Sequence, residues 1–197
     1  MEAIVIGLYL LVLTILGIYG FHRGHLLYLY FRHRKNTFMP AGEFQQLPLV
    51  TIQLPMFNEM YVAERLLDGV AKIDYPKDRL EIQVLDDSTD ETTEIASRKV
   101  EELRSRGFDA VYIHRTDRTG YKAGALESGT KFAKGDFLMV FDADFVPNPD
   151  ILMSLIHHFT DPKVGMVQAR WDHLNRDYSL LTHCQSMMLD GHFVIEH

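Results

Sequence analysis

From Leu49 onward the chain repeats one unit: a short apolar run, a polar break, then a stretch at helical spacing. The apolar runs are LVTIQL (49–54), LEIQVL (80–85), AVYIH (110–114), FLMVF (137–141) and VGMVQAR (164–170). Each is short enough, and rich enough in β-branched and aromatic residues, to read as a strand. Between them, residues 58–73 place Val62, Leu66, Leu67 and Val70 on one helical face. A second helix is expected over 90–106, opened by a capping box of Ser88 and Glu91 and stopped by Gly107. Further helices are expected over 122–135, 149–159 and 178–195. Strands alternating with helices predict βαβ units, hence an α/β domain with a mostly parallel sheet. Such a sheet takes its ligands in the crevice beyond the carboxyl ends of its strands.

The N-terminus is different in kind. Ala3 to Phe21 is a run of 19 residues without a charge. As a helix it would reach about 28 Å, close to the hydrocarbon thickness of a bilayer. The chain begins Met-Glu and lacks both a basic leading segment and an A-x-A cleavage pattern, which argues against a secretory signal. A transmembrane anchor is expected. Arg23, Arg32, Arg34 and Lys35, with three histidines, follow the run, whereas Glu2 precedes it. The positive-inside rule then puts the following domain in the cytoplasm, tethered to a plasma or inner membrane. The LLYLYF stretch (26–31) would extend the helix or lie along the surface.

The expected organisation is an anchor and basic flank at 1–35, a linker at 36–47 containing Pro40 and Gly42, and a globular domain at 48–197. Charge follows that division. The four bases and Glu2 give the first 35 residues +3, which leaves −10 for the rest of a chain whose net charge is −7. An acidic body with no basic stripe argues against a nucleic-acid partner. The single cysteine, Cys184, allows no internal disulfide, as suits a reducing compartment.

Chemistry-bearing residues gather at the strand ends. The first strand runs into Pro55, Met56, Phe57, Asn58 and Glu59, and the second into Asp86, Asp87, Ser88, Thr89 and Asp90. Arg115, Arg118, Gly120, Tyr121 and Lys122 follow the third, and Asp142-Ala143-Asp144 follows the fourth. Two carboxylates one residue apart at the end of a buried strand repel each other unless something neutralises them. Hard oxygen ligands of this kind suit Mg²⁺ or Mn²⁺, which keep water and take phosphate oxygens to complete their shell. Lys122 at a helix start supplies a point charge for a diphosphate. No G-x-G-x-x-G and no G-K-[ST] occurs, so neither a dinucleotide fingerprint nor a P-loop is present. Asp86 and Asp87 could accept hydrogen bonds from a base N–H or from ribose hydroxyls.

LPMFNE, VLDDSTD, GYKAGAL and FDAD, in this order and at these separations, resemble inverting family 2 glycosyltransferases over about residues 49–190. The nearest resemblance is to the processive, membrane-embedded branch of cellulose synthase-like and mannan or glucomannan synthase-like enzymes. It implies a GT-A, Rossmann-like fold and a nucleotide-diphosphate sugar donor of the UDP-glucose or GDP-mannose type. It also implies a divalent metal and transfer to a glycan or lipid-linked acceptor. By the resemblance Pro55, Asn58 and Glu59 lie by the nucleoside, an aspartate of Asp86/Asp87 contacts the base, and Lys122 the diphosphate. Asp142 and Asp144 coordinate the metal–nucleotide unit. Val167, Gln168 and the stretch 171–175 would lie near the donor and acceptor channel.

The departures concern the second half of such enzymes. Their catalytic base sits in a downstream Thr-Glu-Asp-like motif, followed by Q-x-x-R-W, and neither motif occurs here. A fragment holding the donor-binding half is therefore expected, with the base beyond His197. Two other readings compete. VFDADFV has the D-x-D-x-V form of haloacid dehalogenase-like phosphohydrolases, but the residues after Asp144 offer Lys163 without an acidic pair. A membrane-tethered nucleotide-sugar binding module without activity is the other.

Overall fold

A computed structural model describes residues 2–36 and 38–193. The expected helical positions 194 and 195, like His197, lie outside them. The chain divides into two units: residues up to Met39 with those from Gln168, and Pro40–Val167.

In the first unit a single helix, α1 (Glu2–His33, 32 residues), takes in the uncharged run and the LLYLYF stretch together. It is long and apolar enough to cross a membrane, with a mean hydropathy of 2.4 over its most apolar window and none of that window buried. The last helix, α6 (Leu180–Gly191), belongs to the same unit. It is opened by a reciprocal capping box: the Ser179 hydroxyl accepts from Thr182 N, and Ser179 N donates to Thr182 Oγ1.

The second unit holds a parallel sheet. In chain order its elements are β1 (Val50–Met56), α2 (Ala63–Val70), β2 (Leu80–Asp86), α3 (Thr92–Ser105), β3 (Asp109–His114), α4 (Tyr121–Thr130), β4 (Phe137–Val140) and α5 (Ile151–Ile156). The strand order is β3-β2-β1-β4, all parallel. Every residue of β1 and β2 is buried, because helices cover both faces.

The two faces are unlike. Val50, Ile52, Leu54, Leu80, Ile82 and Val84 join Leu66, Leu67 and Val70 of α2, Val100 and Leu103 of α3, and Leu152 and Ile156 of α5 in one apolar core. The opposite face carries a polar ladder in register, Thr51 beside Glu81 and Gln53 beside Gln83. The Thr51 hydroxyl donates to Glu81 Oε2 at 2.6 Å, and the two glutamine amides meet at 3.0 Å. Lys134 N donates to the same Glu81 oxygen at 2.9 Å, and Gly135 N to Thr51 Oγ1 at 2.9 Å. These bonds satisfy polar groups that would otherwise be costly to bury.

Three local expectations are corrected. The first helix of the domain starts at Ala63 rather than residue 58, because Asn58 adopts a left-handed φ of 55° that a helix cannot include. The Ser88–Glu91 capping box does not form: the Ser88 hydroxyl is taken by Asn58 N, and α3 starts at Thr92, whose N–H donates to Asp90 Oδ1. Residues 164–170 form no strand. Among the described residues no strand pairs with them, and Met166 is 80% exposed. The described residues of the segment expected as a linker, 36 and 38–47, form no helix or strand, yet Phe44 packs on the core and its backbone N–H donates to His157 Nδ1 at 3.1 Å.

Gly135 sits where the chain enters β4. A Cβ there would stand 2.4 Å from Thr51 N and 2.8 Å from Phe137 O, both backbone atoms. Gly135→Ala should therefore destabilise the fold by about 2 kcal/mol in urea unfolding. Gly165→Ala, with nothing within 4 Å, should stay within about 0.5 kcal/mol of the parent. Equal effects would contradict the close packing.

Candidate active site at the carboxyl edge of the sheet

Strand order reverses between β1 and β4, so the crevice where ligands are received is expected at their carboxyl ends. A cleft of about 340 Å³ opens there. It is lined by Pro55, Met56, Phe57 and Glu59 after β1, Asp87 after β2, Arg118, Lys122 and Ala125 around the start of α4, and Asp142, Ala143 and Asp144 after β4. Six of the eight residues singled out from the sequence therefore share one cleft: Pro55, Glu59, Asp87, Lys122, Asp142 and Asp144.

Asn58 and Asp86 are not among the lining residues. Asn58 ties two loops together: its N donates to Ser88 Oγ at 2.9 Å and its Oδ1 accepts from Thr89 N at 3.0 Å. Asp86 is fully buried, and its carboxylate accepts from Ser88 N at 2.9 Å and Tyr112 OH at 2.6 Å, with His114 Nδ1 at 3.2 Å. Burial alone would raise its pKa, but the hydrogen bonds from Ser88, Tyr112 and His114 outweigh it and hold the carboxyl below its ordinary range. Burial and the bond to Asp86 push the Tyr112 hydroxyl up in turn. Of the aspartate pair, only Asp87 faces the cleft.

Asp87 is itself partnered. Arg115 grips it through two bonds, Nε at 2.7 Å and Nη2 at 2.6 Å, which is the fork geometry that suits a carboxylate. Lys122 Nζ lies against Asp142 Oδ1 as an ion pair. The carboxylate of Asp144 is exposed and has no hydrogen-bond partner among the described residues; its backbone oxygen accepts from Arg65 at 3.3 Å. The loop that carries Lys122 turns through Gly120 at φ 76° and Tyr121 at φ 50°. Gly124 permits that turn, since a Cβ on it would stand 2.1 Å from the Thr119 carbonyl oxygen.

Among the described residues no group of three His, Cys, Asp or Glu side chains is placed to hold a metal. The donor set of Asp142 and Asp144 fits an ion that draws its remaining ligands from water and a phosphate-bearing ligand, rather than one caged by protein alone. Five of the eleven lining residues, Phe57 and Arg118 among them, have no role assigned from the sequence. Arg118 was visible as one of the bases after the third strand, but its pairing with Phe57 joins two loops far apart in the chain. Trp171, expected near a donor and acceptor channel, belongs to the other unit. There it helps to line a hollow of about 350 Å³ with Tyr30, Arg176 and Asp190.

The family model for glycosyl transferase family 2 matches residues 51–194. Glucomannan 4-beta-mannosyltransferase 2 of Arabidopsis thaliana is 43% identical over 173 residues, covering 83% of this chain and 32% of its own length. Glucomannan 4-beta-mannosyltransferase 9 of the same plant is 42% identical over 154 residues, covering 76% and 29%. A solved structure of the mannosyltransferase PcManGT from Pyrobaculum calidifontis, in complex with GDP-Man and Mn²⁺, has a TM-score of 0.66 and 30% identity. That match covers 83% of this chain and 47% of the other. S. aureus TarS superposes with a TM-score of 0.50 at 26% identity, over 64% of this chain and 23% of its own. A parallel α/β sheet with a polar cleft at the β1/β4 switch point is the GT-A arrangement. The chain belongs to glycosyl transferase family 2, on its cellulose synthase-like, glucomannan synthase-like side. It spans about a third of the length of the curated relatives it matches.

The buried Asp86 yields a pH test. A carboxyl held below its unfolded pKa contributes stability that is present above about pH 4 and lost as pH falls through its folded value. Tyr112→Phe removes one bond to that carboxylate, and should cost about 2 kcal/mol at pH 7. The gap to the parent, measured by denaturant unfolding, should narrow below about pH 4. A gap independent of pH would mean that Asp86 is not the group involved.

Proposed function

We propose that the chain carries the donor-binding half of a membrane-anchored inverting glycosyltransferase, which uses a nucleotide-diphosphate sugar and a divalent metal to extend a β-linked polysaccharide or glycoconjugate. One observation carries the reading: Lys122, Asp142 and Asp144 meet in the cleft at the strand-order reversal. Of the two donor types, GDP-mannose is favoured, because the relatives are named as glucomannan mannosyltransferases and PcManGT is described with GDP-Man and Mn²⁺.

In an inverting displacement the acceptor hydroxyl oxygen attacks the anomeric carbon as the bond to the diphosphate breaks. The acceptor proton goes to a base, and the electron pair leaves on the diphosphate. A metal held by Asp142 and Asp144 would neutralise charge on the phosphates when bound. Lys122 moves from Asp142 to a phosphate oxygen and holds the charge that develops as the bond breaks. Asp87, locked by Arg115, presents a fixed acceptor edge to the nucleoside, and Pro55 and Glu59 shape the wall beside it. The base is assigned to the part of the relatives' length that this chain does not span, since a base must lie within hydrogen-bond reach of the acceptor.

In this reading residues 1–35 form the anchor, 36–47 the linker and 48–197 the donor domain, which faces the cytoplasm because the bases follow α1. The partners are a lipid bilayer and a glycan or lipid-linked acceptor.

Two measurements test the reading. GDP binding followed by calorimetry should need Mn²⁺ or Mg²⁺, because Asp142 and Asp144 otherwise face the phosphates with like charge; equal affinity in EDTA would count against it. Lys122→Ala should weaken GDP by tenfold or more, about the worth of a charge-assisted hydrogen bond, and leave guanosine nearly unchanged. Equal losses for both ligands would exclude the phosphate role.

A further inference from the structure

The hollow in the unit that contains α1, about 350 Å³, has Tyr30, Arg170, Trp171, Asp172, Arg176 and Asp190 in its lining. Part of that charge is satisfied within the unit: Asp190 meets Arg176 at 3.3 Å and His173 Nε2 at 3.4 Å. The two neighbours of Trp171 differ. Arg170 is exposed, and its guanidinium has no ion-pair or hydrogen-bond partner among the described residues. Asp172 is exposed too, and among those residues its carboxylate accepts only from the adjacent His173 N, at 2.8 Å. The hollow therefore offers one free cation and one free anion, on either side of an indole in the chain.

Its place along α1 indicates where a ligand comes from. Tyr30 stands 28 residues after Glu2 in that helix, which is about 42 Å at 1.5 Å per residue. A bilayer with both headgroup layers is about 40–45 Å thick. A spanning α1 with Glu2 at one surface thus brings Tyr30 to the headgroups of the other, on the side where the bases gather. Tyrosine and tryptophan favour that level. The same unit leaves an apolar stripe uncovered on α6: Leu180, Leu181, Met187 and Met188 share one helical face and are each more than half exposed. Both features suit a surface that meets lipid. Charge then selects the headgroup. A free arginine alone would take any anion, but a carboxylate beside it repels a phosphate that brings no cation. The arginine fork suits a phosphate, and the carboxylate accepts from an ammonium.

We propose that this hollow holds the headgroup of a zwitterionic phospholipid, its phosphate on Arg170 and its primary ammonium on Asp172, with the Arg176–Asp190 pair as a fixed wall. The proposal rests on the reading of α1 as a membrane anchor. It adds a choice among lipids, which an apolar helix alone does not make.

Trp171 is the only tryptophan in the chain, so its emission reports on the hollow without a label. The test holds the full chain in micelles of a polyoxyethylene detergent, which bring no phosphate, amine or sugar. Added phosphatidylethanolamine should shift the emission to saturation. Phosphatidylglycerol, which keeps the phosphate and lacks the amine, should need about tenfold more, as for one lost charge-assisted hydrogen bond. Asp172→Asn should weaken phosphatidylethanolamine by about the same factor and leave phosphatidylglycerol no weaker, whereas Arg170→Gln should weaken both. Equal response of the parent to the two lipids would overturn the proposal, as would phosphatidylethanolamine binding unchanged in either variant. Saturation by soluble glycerophosphoethanolamine at the concentration that suffices for the lipid would overturn it in favour of a soluble phosphate ester. A response to a β-linked mannan oligosaccharide alone would make the hollow a glycan subsite instead. The anchor reading fails separately, if the chain stays behind when lipid vesicles float through a density gradient. Circular dichroism of each variant, expected to match the parent, excludes a folding defect as the cause of lost binding.

Discussion

The in-register ladder of Thr51 with Glu81 and Gln53 with Gln83 is the constraint on which the rest of the domain depends. Side chains alternate along a strand, so a slip of one residue between β1 and β2 would bring either Glu81 and Gln83 or Thr51 and Gln53 against the apolar core. The same ladder accepts the chain leaving α4, through Lys134 N on Glu81 and Gly135 N on Thr51. It thereby fixes how the α4–β4 connection meets the sheet, and with it the position of β4 beside β1. The cleft lies between residues delivered by those two strands and by the start of α4. A polar network deep in the sheet therefore helps to place Lys122 against the end of β4.

Charge in the cleft is arranged in pairs. Arg115 neutralises Asp87, and Lys122 faces Asp142, while the carboxylates of Asp144 and Glu59 have no ion-pair partner among the described residues. Asp86 stands behind this arrangement. Its negative charge is held by Ser88, Tyr112 and His114, so it braces the ends of β2 and β3. The pair Asp86-Asp87 thus divides its work, one carboxylate fixing the scaffold and its neighbour facing the ligand side.

Much of this was legible in the sequence. Strand and helix alternation, the strand ends bearing Pro55, Glu59, Asp87, Lys122, Asp142 and Asp144, and the apolar N-terminal helix all follow from periodicity and residue type. What escaped was set by contacts across the chain. Asn58 looked like the first residue of a helix, but its left-handed φ accompanies bonds to Ser88 and Thr89, thirty residues away and in another loop. Ser88 looked like a cap, but that same contact takes its hydroxyl. The 164–170 segment has a strand's composition but pairs with no strand among the described residues. Phe57 and Arg118 carry no local pattern that announces their stacking.

The Lys122–Asp142 pair has a thermodynamic corollary. With its own ammonium against the carboxylate, the strand end is electroneutral at that point, and the fold does not need a bound cation to relieve repulsion there. Any anion that draws Lys122 away leaves Asp142 more attractive to a cation. By linkage, any cation that takes Asp142 releases Lys122 toward the anion by the same factor. A lysine that blocks the carboxylate in the resting protein thus makes the two ligands mutually reinforcing, with no moving domain required to couple them.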